Sequence, residues 1–170
     1  MYTLRIPKER VAVLIGKNGE IKRKIEKNTN TKLILDKEGG VIIEGEGVNI
    51  FEANNIVKAI GRGFNPEVAL NLLKDENLME IVNIKDFTGK SKKKFERTKA
   101  RIIGTKGKAR ELIERLTNTE IVVYGKTVSI IGEVDRVFIA KMGVEIILRG
   151  APHGNAYAYM EKQLANLREQ

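Results

Sequence analysis

The stretch Ile15–Leu35 reads IGKNGEIKRKIEKNTNTKLIL, and 88 residues further on Ile103–Val123 reads IGTKGKARELIERLTNTEIVV. Laid over one another without gaps, the two share eight identical residues in 21. These are the Ile-Gly pair, the second glycine, Ile25/Ile113, Glu26/Glu114, and the run Thr29-Asn30-Thr31 against Thr117-Asn118-Thr119. The likeness continues with a one-residue slip, VIIEGEG from Val41 answering VSIIGEV from Val128. A phrase written twice at this spacing marks an internal repeat. In a chain of 170 residues it leaves each copy about 85, enough for a modest core.

Each copy reads in the same order. Thr3–Pro7 and Met79–Phe87 carry strand-like apolar spacing, and a short helical segment then runs to the first glycine. After G-x-x-G comes an amphipathic helix. Its apolar positions are Ile21 and Ile25 in the first copy. In the second they are Ala109, Leu112, Ile113 and Leu116, spaced i, i+3, i+4, i+7. The T-N-T run ends that helix with poor helix formers. Two strands follow, Lys32–Asp36 with Val41–Glu44 and Glu120–Tyr124 with Val128–Gly132, turned by KEGG and GK. A last helix closes each copy, through Ile50, Ala53, Val57 and Ile60 or Val134, Val137 and Phe138. Between the copies Asn65 reads as an N-cap with Pro66 first in the helix. A helix over about 66–75 is expected there, with Leu70, Leu72 and Leu73 packed rather than free. After Pro152 a helix is expected from near Asn155, burying Tyr157, Met160, Leu164 and Leu167.

The order βααββα with a G-x-x-G between its first two helices is that of the KH domain. A polynucleotide backbone must approach such a loop closely, and glycine removes the Cβ and permits positive φ. The N–H groups opening the next helix then point at a phosphate, and a KH loop grips about four nucleotides. We therefore expect an α+β chain of two tandem type I KH domains, each a three-stranded sheet packed on helices. The domains fall at 1–64 and 78–150, with an inter-domain helix over 65–77 and a C-terminal helix over 151–170. The RNA-binding loops are Gly16, Lys17, Asn18, Gly19 and Gly104, Thr105, Lys106, Gly107. Lys22, Arg23, Lys108 and Arg110, just beyond them, are expected phosphate contacts. Leu14, Ile21 and Ile34, with Ile102, Ala109 and Val122, are the expected lining of the base groove.

The run KSKKKFERTKAR, Lys90–Arg101, holds seven basic residues against one acid and leads into the second loop. It nominates Lys92, Lys93, Lys94, Arg97, Lys99 and Arg101 as phosphate contacts. Glu9 and Glu20 lie near the first loop, so the second is expected to bind RNA more strongly. Net charge is +9, which favours a polyanionic partner. Aromatic residues are only 5%, which disfavours readers built on stacking platforms. There is no cysteine, so no disulfide framework and no thiolate metal site. No apolar run approaches membrane-spanning length and the start lacks a signal-peptide core, so a soluble cytoplasmic protein is expected.

G-T-K-G-K is not the phosphate loop of a nucleotide hydrolase. GEGVNI lacks the third glycine of a dinucleotide site. No metal-ligand cluster appears among the four aspartates, Asp36, Asp75, Asp86 and Asp135. No catalytic residue, metal or cofactor is assigned. His153, the lone histidine, is given a turn or packing role.

The chain resembles the partner-of-Nob (Dim/Pno) family of tandem KH proteins that assemble the small ribosomal subunit, in its archaeal form. The resemblance rests on LIGKNGEIKRKIE, AIGRGFNPEVALNLL, ARIIGTKGKARELIERLTNTEI and GAPHGNAYAYME, and covers nearly the whole chain. It implies binding near the 3′ end of small-subunit rRNA, and partnership with the Nob endonuclease. It also implies contact with the alpha subunit of translation initiation factor two. The alternative is a KH protein for another RNA, an mRNA or an exosome target.

Overall fold

Tyr2–Arg5 forms β1 and a short helical stretch leads into α1, Val11–Ile15. The G-x-x-G loop separates α1 from α2, Glu20–Thr29. Then come β2, Lys32–Leu35, β3, Gly40–Glu44, and α3, Gly47–Gly61. Asp36 shapes the β2–β3 turn, its Oδ1 accepting the Glu38 and Gly40 N–H groups at 2.8 and 2.9 Å. The three strands pair antiparallel in the order β1-β3-β2, with Leu4 opposite Val41 and Leu33 opposite Ile43. Leu14, Ile25, Leu33, Val41, Ile43, Ile56 and Ile60 are fully buried between this sheet and its helices.

Asn65 caps the next helix as expected, its side chain accepting the Glu67 N–H at 2.9 Å. That helix, α4, spans only Pro66–Ala69, and Leu70–Leu73 tighten into a 3-10 turn before Lys74 turns extended. The expected ten-residue helix is therefore one α turn and one tighter turn, packed back on α3. Leu70, Leu72 and Leu73 are half-buried.

The computed structural model describes Met1–Gln170, and its contacts divide it into two units, Met1–Asp75 and Glu76–Gln170. The second repeats the first with additions. Its strand β4 spans Asn77–Asn83, then the chain breaks into a short helix α5, Lys85–Thr88. The strand stops short of Phe87 because the Asn83 side chain accepts the Lys85 N–H at 3.0 Å, which starts a turn. Ser91 caps α6, Lys92–Ile103, its Oγ accepting the Lys94 N–H. After the second loop come α7, Lys108–Thr117, β5, Glu120–Tyr124, β6, Thr127–Glu133, and α8, Val134–Leu148. The sheet order is β4-β6-β5, again antiparallel. Helix α9, His153–Arg168, begins two residues earlier than expected and lies along α8 and α7. Ala156, Met160 and Leu164 form its buried stripe, with Tyr157 and Leu167 partly buried beside it. Gly143 lets α9 approach: a Cβ there would stand 2.8 Å from the Met160 Cγ.

The identical T-N-T run acquires a physical reason here. Asn30 and Asn118 sit just past their helices at φ 52° and 53°, in the left-handed region asparagine tolerates best after glycine. Thr29 and Thr117 donate back to the Ile25 and Ile113 carbonyls at 2.7 Å, and each hydroxyl also meets the threonine two residues on. The run is a helix stop built twice.

Candidate nucleic-acid interface

The two loops share one backbone. Gly16 lies at φ 76°, ψ 176° and Gly104 at φ 77°, ψ 174°, a region open essentially to glycine alone. A Cβ on Gly104 would stand 2.7 Å from the Ala109 Cβ, and one on Gly16 would run into the Ile21 side chain. The first glycine of each pair therefore lets the second helix start hard against the loop. The second glycines, Gly19 and Gly107, are left-handed at φ 76°. A Cβ on Gly107 would meet nothing nearer than 3.6 Å, so that side of the loop faces open space. Asn18 and Lys106, between the glycines, are also left-handed, each at φ 55°. Neither α2 nor α7 has a side-chain cap at its start. The first N–H groups of each helix lack an intrahelical partner, and with the dipole they suit an anion.

The side chains around the loops divide by what they already hold. Lys17, Lys106, Lys108, Lys92, Lys93, Lys94 and Arg97 are exposed. Arg23 donates to the Asn18 carbonyl at 2.7 Å and so braces the first loop. Lys22 pairs with Glu26 at 3.4 Å, and Arg110 pairs closely with Glu114. In both units that glutamate also accepts a strand N–H at 2.9 Å, Glu26 from Leu33 and Glu114 from Ile121. Burial pushes the Glu114 carboxyl above its ordinary value, against the lowering effect of the Ile121 N–H and the Arg110 guanidinium. Lys99 donates to the Gly125 carbonyl at 2.9 Å.

Arg101 is committed elsewhere than sequence suggested. Its guanidinium donates to the Ile147 and Ala151 carbonyls at 2.7 and 2.5 Å, so it pins α6 to the α8–α9 junction. Arg10 does the same in the first unit, donating to the Ile60 and Phe64 carbonyls at 2.8 Å. Those four carbonyls are equivalent at an 87-residue offset, whereas the two arginines are not equivalent in the repeat.

The expected groove lining is only partly assembled. Leu14 and Ile102 are fully buried and Ala109 nearly so, so they form the floor beneath the loops rather than a surface. Ile21 is half-buried under Gly16. Ile34 and Val122 do not face the helices. Side chains alternate across a strand, and their neighbours Leu33 and Ile121 are the ones turned into the core. Leu35 and Val123, two places on, share the helix side and are half-buried. With Ile15 and Ile103 they are the apolar surface beside each loop.

One feature lay outside the sequence reading. An open cleft of about 620 Å³ lies between α6, α7 and α9, running up to Gly104 and Thr105. Arg97, Lys108, Leu112, His153 and Tyr157 are among its walls. A His153 ring nitrogen, Nε2, donates to the Arg101 carbonyl at 2.8 Å, which fixes the imidazole. Partial burial raises the Tyr157 phenol, which stays a neutral hydroxyl. A trace was present in sequence: IGRGFNPEVAL from Ile60 and ILRGAPHGNAY from Ile147 align at the 87-residue offset. That alignment sets the start of α9 where α4 begins.

Comparison with known proteins gives the same architecture. A family profile described as a eukaryotic type KH domain, type I, matches residues 78–165, and a KH domain profile matches 1–59. A KH domain-containing protein of Methanocaldococcus jannaschii is 47% identical over 165 residues, 94% of this chain and 72% of that protein. The pre-rRNA-processing protein PNO1 of Saccharomyces cerevisiae is 26% identical over 86% of this chain, which spans half of that protein's length. Among solved structures, Dim2p from Pyrococcus horikoshii is 42% identical with a TM-score of 0.86, over 95% of this chain and 98% of that one. A complex of a/eIF2alpha, aDim2p and rRNA from the same organism contains a chain 42% identical, with a TM-score of 0.88, over 97% and 94%. Two G-x-x-G loops of one geometry, each set in a βααββα unit, and relatives of this closeness place the chain in the Dim2/Pno1 family of tandem KH-domain proteins.

Proposed function

We propose that this protein binds single-stranded small-subunit rRNA near its 3′ end and holds it during ribosome assembly and rRNA processing. The observation that carries the reading is the second loop. There a lysine, Lys106, occupies a left-handed position that asparagine fills in the first loop. A lysine held there against its backbone preference, beside an uncapped helix start and next to Lys108, supplies what a phosphate needs. The relatives' names supply the RNA class: pre-rRNA processing in the yeast protein, and an rRNA complex in the archaeal one. The alpha subunit of the archaeal initiation factor is a partner on the same ground. The Nob endonuclease is a partner on the family resemblance, and would cut the strand this protein presents. In this reading the protein does no chemistry itself. No helix is long and apolar enough to cross a membrane.

The test is a titration with a labelled 3′-terminal rRNA fragment, with the same fragment annealed to its complement, and with an unrelated single strand. Affinity for the single strand should fall steeply with salt, the logarithmic slope being about 0.7 per phosphate held. The annealed fragment should bind far more weakly, because a KH groove needs splayed bases. A flat salt response, or equal affinity for the duplex, contradicts the reading. Equal affinity for the unrelated strand would favour the broader alternative of a KH protein for other RNA.

A further inference from the structure

The cleft between α6, α7 and α9 is on the far side of the helix hairpin from the groove beside β5. Arg110 reaches the Ile121 carbonyl on the β5 side. Lys108 and Leu112 are two residues either side of it, each about 200° round the helix. On α6, Lys99 reaches the turn after β5 while Arg97 and Arg101 line the cleft. The two surfaces meet at Gly104 and Thr105.

This cleft is not a by-product of the fold, because the first unit has neither its two unpaired cations nor its two rings at the matching positions. At the 88-residue offset Arg97 answers to Glu9 and Lys108 to Glu20. At the later 87-residue offset His153 answers to Pro66 and Tyr157 to Leu70. The fold tolerates both charge reversals and the loss of both rings. In the second unit Arg97 and Lys108 form no ion pair, and no acidic residue lines the cleft. Helices α7 and α9 both begin at its wall, at Lys108 and His153, without side-chain caps, so two positive helix ends add to the field. The His153 and Tyr157 rings, their centroids 6.2 Å apart, line the same cleft, with Ala109 and Leu112 as its apolar part. A volume of about 620 Å³ is ample for one nucleotide.

We infer that this cleft takes one further nucleotide of the strand gripped by the second loop, its phosphate between Arg97 and Lys108 and its base against Tyr157. The inference rests on reading that loop as an RNA clamp. The strand would pass from the β5 groove across Gly104–Thr105 to the other face of the hairpin. Helix α9 is thereby part of the RNA-binding surface, which the first unit lacks.

The wild-type chain carries its own reporter, since His153 is its only imidazole. Its ring proton resonances are followed by NMR while the chain is titrated with two 3′-terminal rRNA oligonucleotides. One has about four nucleotides, the length a KH loop grips, and one is about three longer. The longer strand should shift His153 and the shorter should not. Replacing Tyr157→Leu, the first unit's residue, should weaken the longer strand about tenfold, as expected for one lost stacked base. Affinity for the shorter strand should hold. If the shorter strand binds but the longer one neither moves His153 nor loses affinity in the variant, the cleft is refuted alone. If neither strand binds the wild type, the RNA reading falls and the cleft with it. A His153 shift produced by poly-glutamate and not by RNA would also refute the inference.

Discussion

In the function proposed above, Lys106 sets stability against binding within one side chain. Its φ of 55° is one that a lysine adopts at a cost of about 1 kcal/mol, and Asn18 holds the same place in the first loop without that cost. Lys106→Asn should therefore leave the chain as stable or raise its stability by up to about 1 kcal/mol. Loss of one charge-assisted contact should weaken RNA binding roughly tenfold. Urea denaturation and RNA titration of the one variant read both effects, and a variant that loses stability contradicts the strain argument. Gly104→Ala behaves oppositely: a forbidden φ and a 2.7 Å approach to Ala109 should cost about 2–4 kcal/mol of stability. Asp36 is a matter of pH. The Gly40 N–H and then the Glu38 N–H hold its carboxyl below the ordinary 3.8. A depressed folded-state value means that its contribution is full above about 4 and is lost as pH falls through the folded value. The stability gap between wild type and Asp36→Ala should stay level from neutral pH to about 4 and close below it. A gap that persists unchanged at pH 2 would contradict this.

At the scale of elements, the repeat was legible because its punctuation is chemical. Glycine pairs and T-N-T stops occupy backbone conformations few residues accept, so they recur as identities. Strand parity was not legible. K-L-I-L and E-I-V-V are apolar on both faces, and only the structure turns Leu33 and Ile121 inward and leaves Ile34 and Val122 on the other face. The role of Arg101 was hidden for another reason: its partners lie 46 and 50 residues away, and in the basic run it looks like its neighbours. The cleft was hidden likewise, since its walls come from three helices. The Arg101 pin yields a prediction at this scale. Arg101→Ala releases two carbonyls at the α8–α9 junction and should cost about 2–3 kcal/mol in urea denaturation. Lys93→Ala, on the exposed face of the same helix, should change stability by less than about 0.5 kcal/mol. Equal effects from the two would mean that Arg101 is free for RNA after all.

For the whole molecule the question is why the fold is written twice. Two loops on one strand multiply affinities through effective concentration, provided that both reach it. The copies are not equal partners in charge. The second loop has Lys106 and Lys108, and the basic α6 leads into it, while the first has Glu9 and Glu20 nearby. The central claim is that the second loop is the stronger clamp. The most direct measurement titrates one labelled rRNA 3′-end fragment against Thr105→Asp/Lys106→Asp, Lys17→Asp/Asn18→Asp, and both together, with circular dichroism confirming the fold. These positions are exposed, so the fold should survive. The second-loop change should weaken binding at least about tenfold and the first-loop change less, with the combination nearly additive in free energy or worse. Equal losses from the two loops, or a larger loss from the first, would contradict the account.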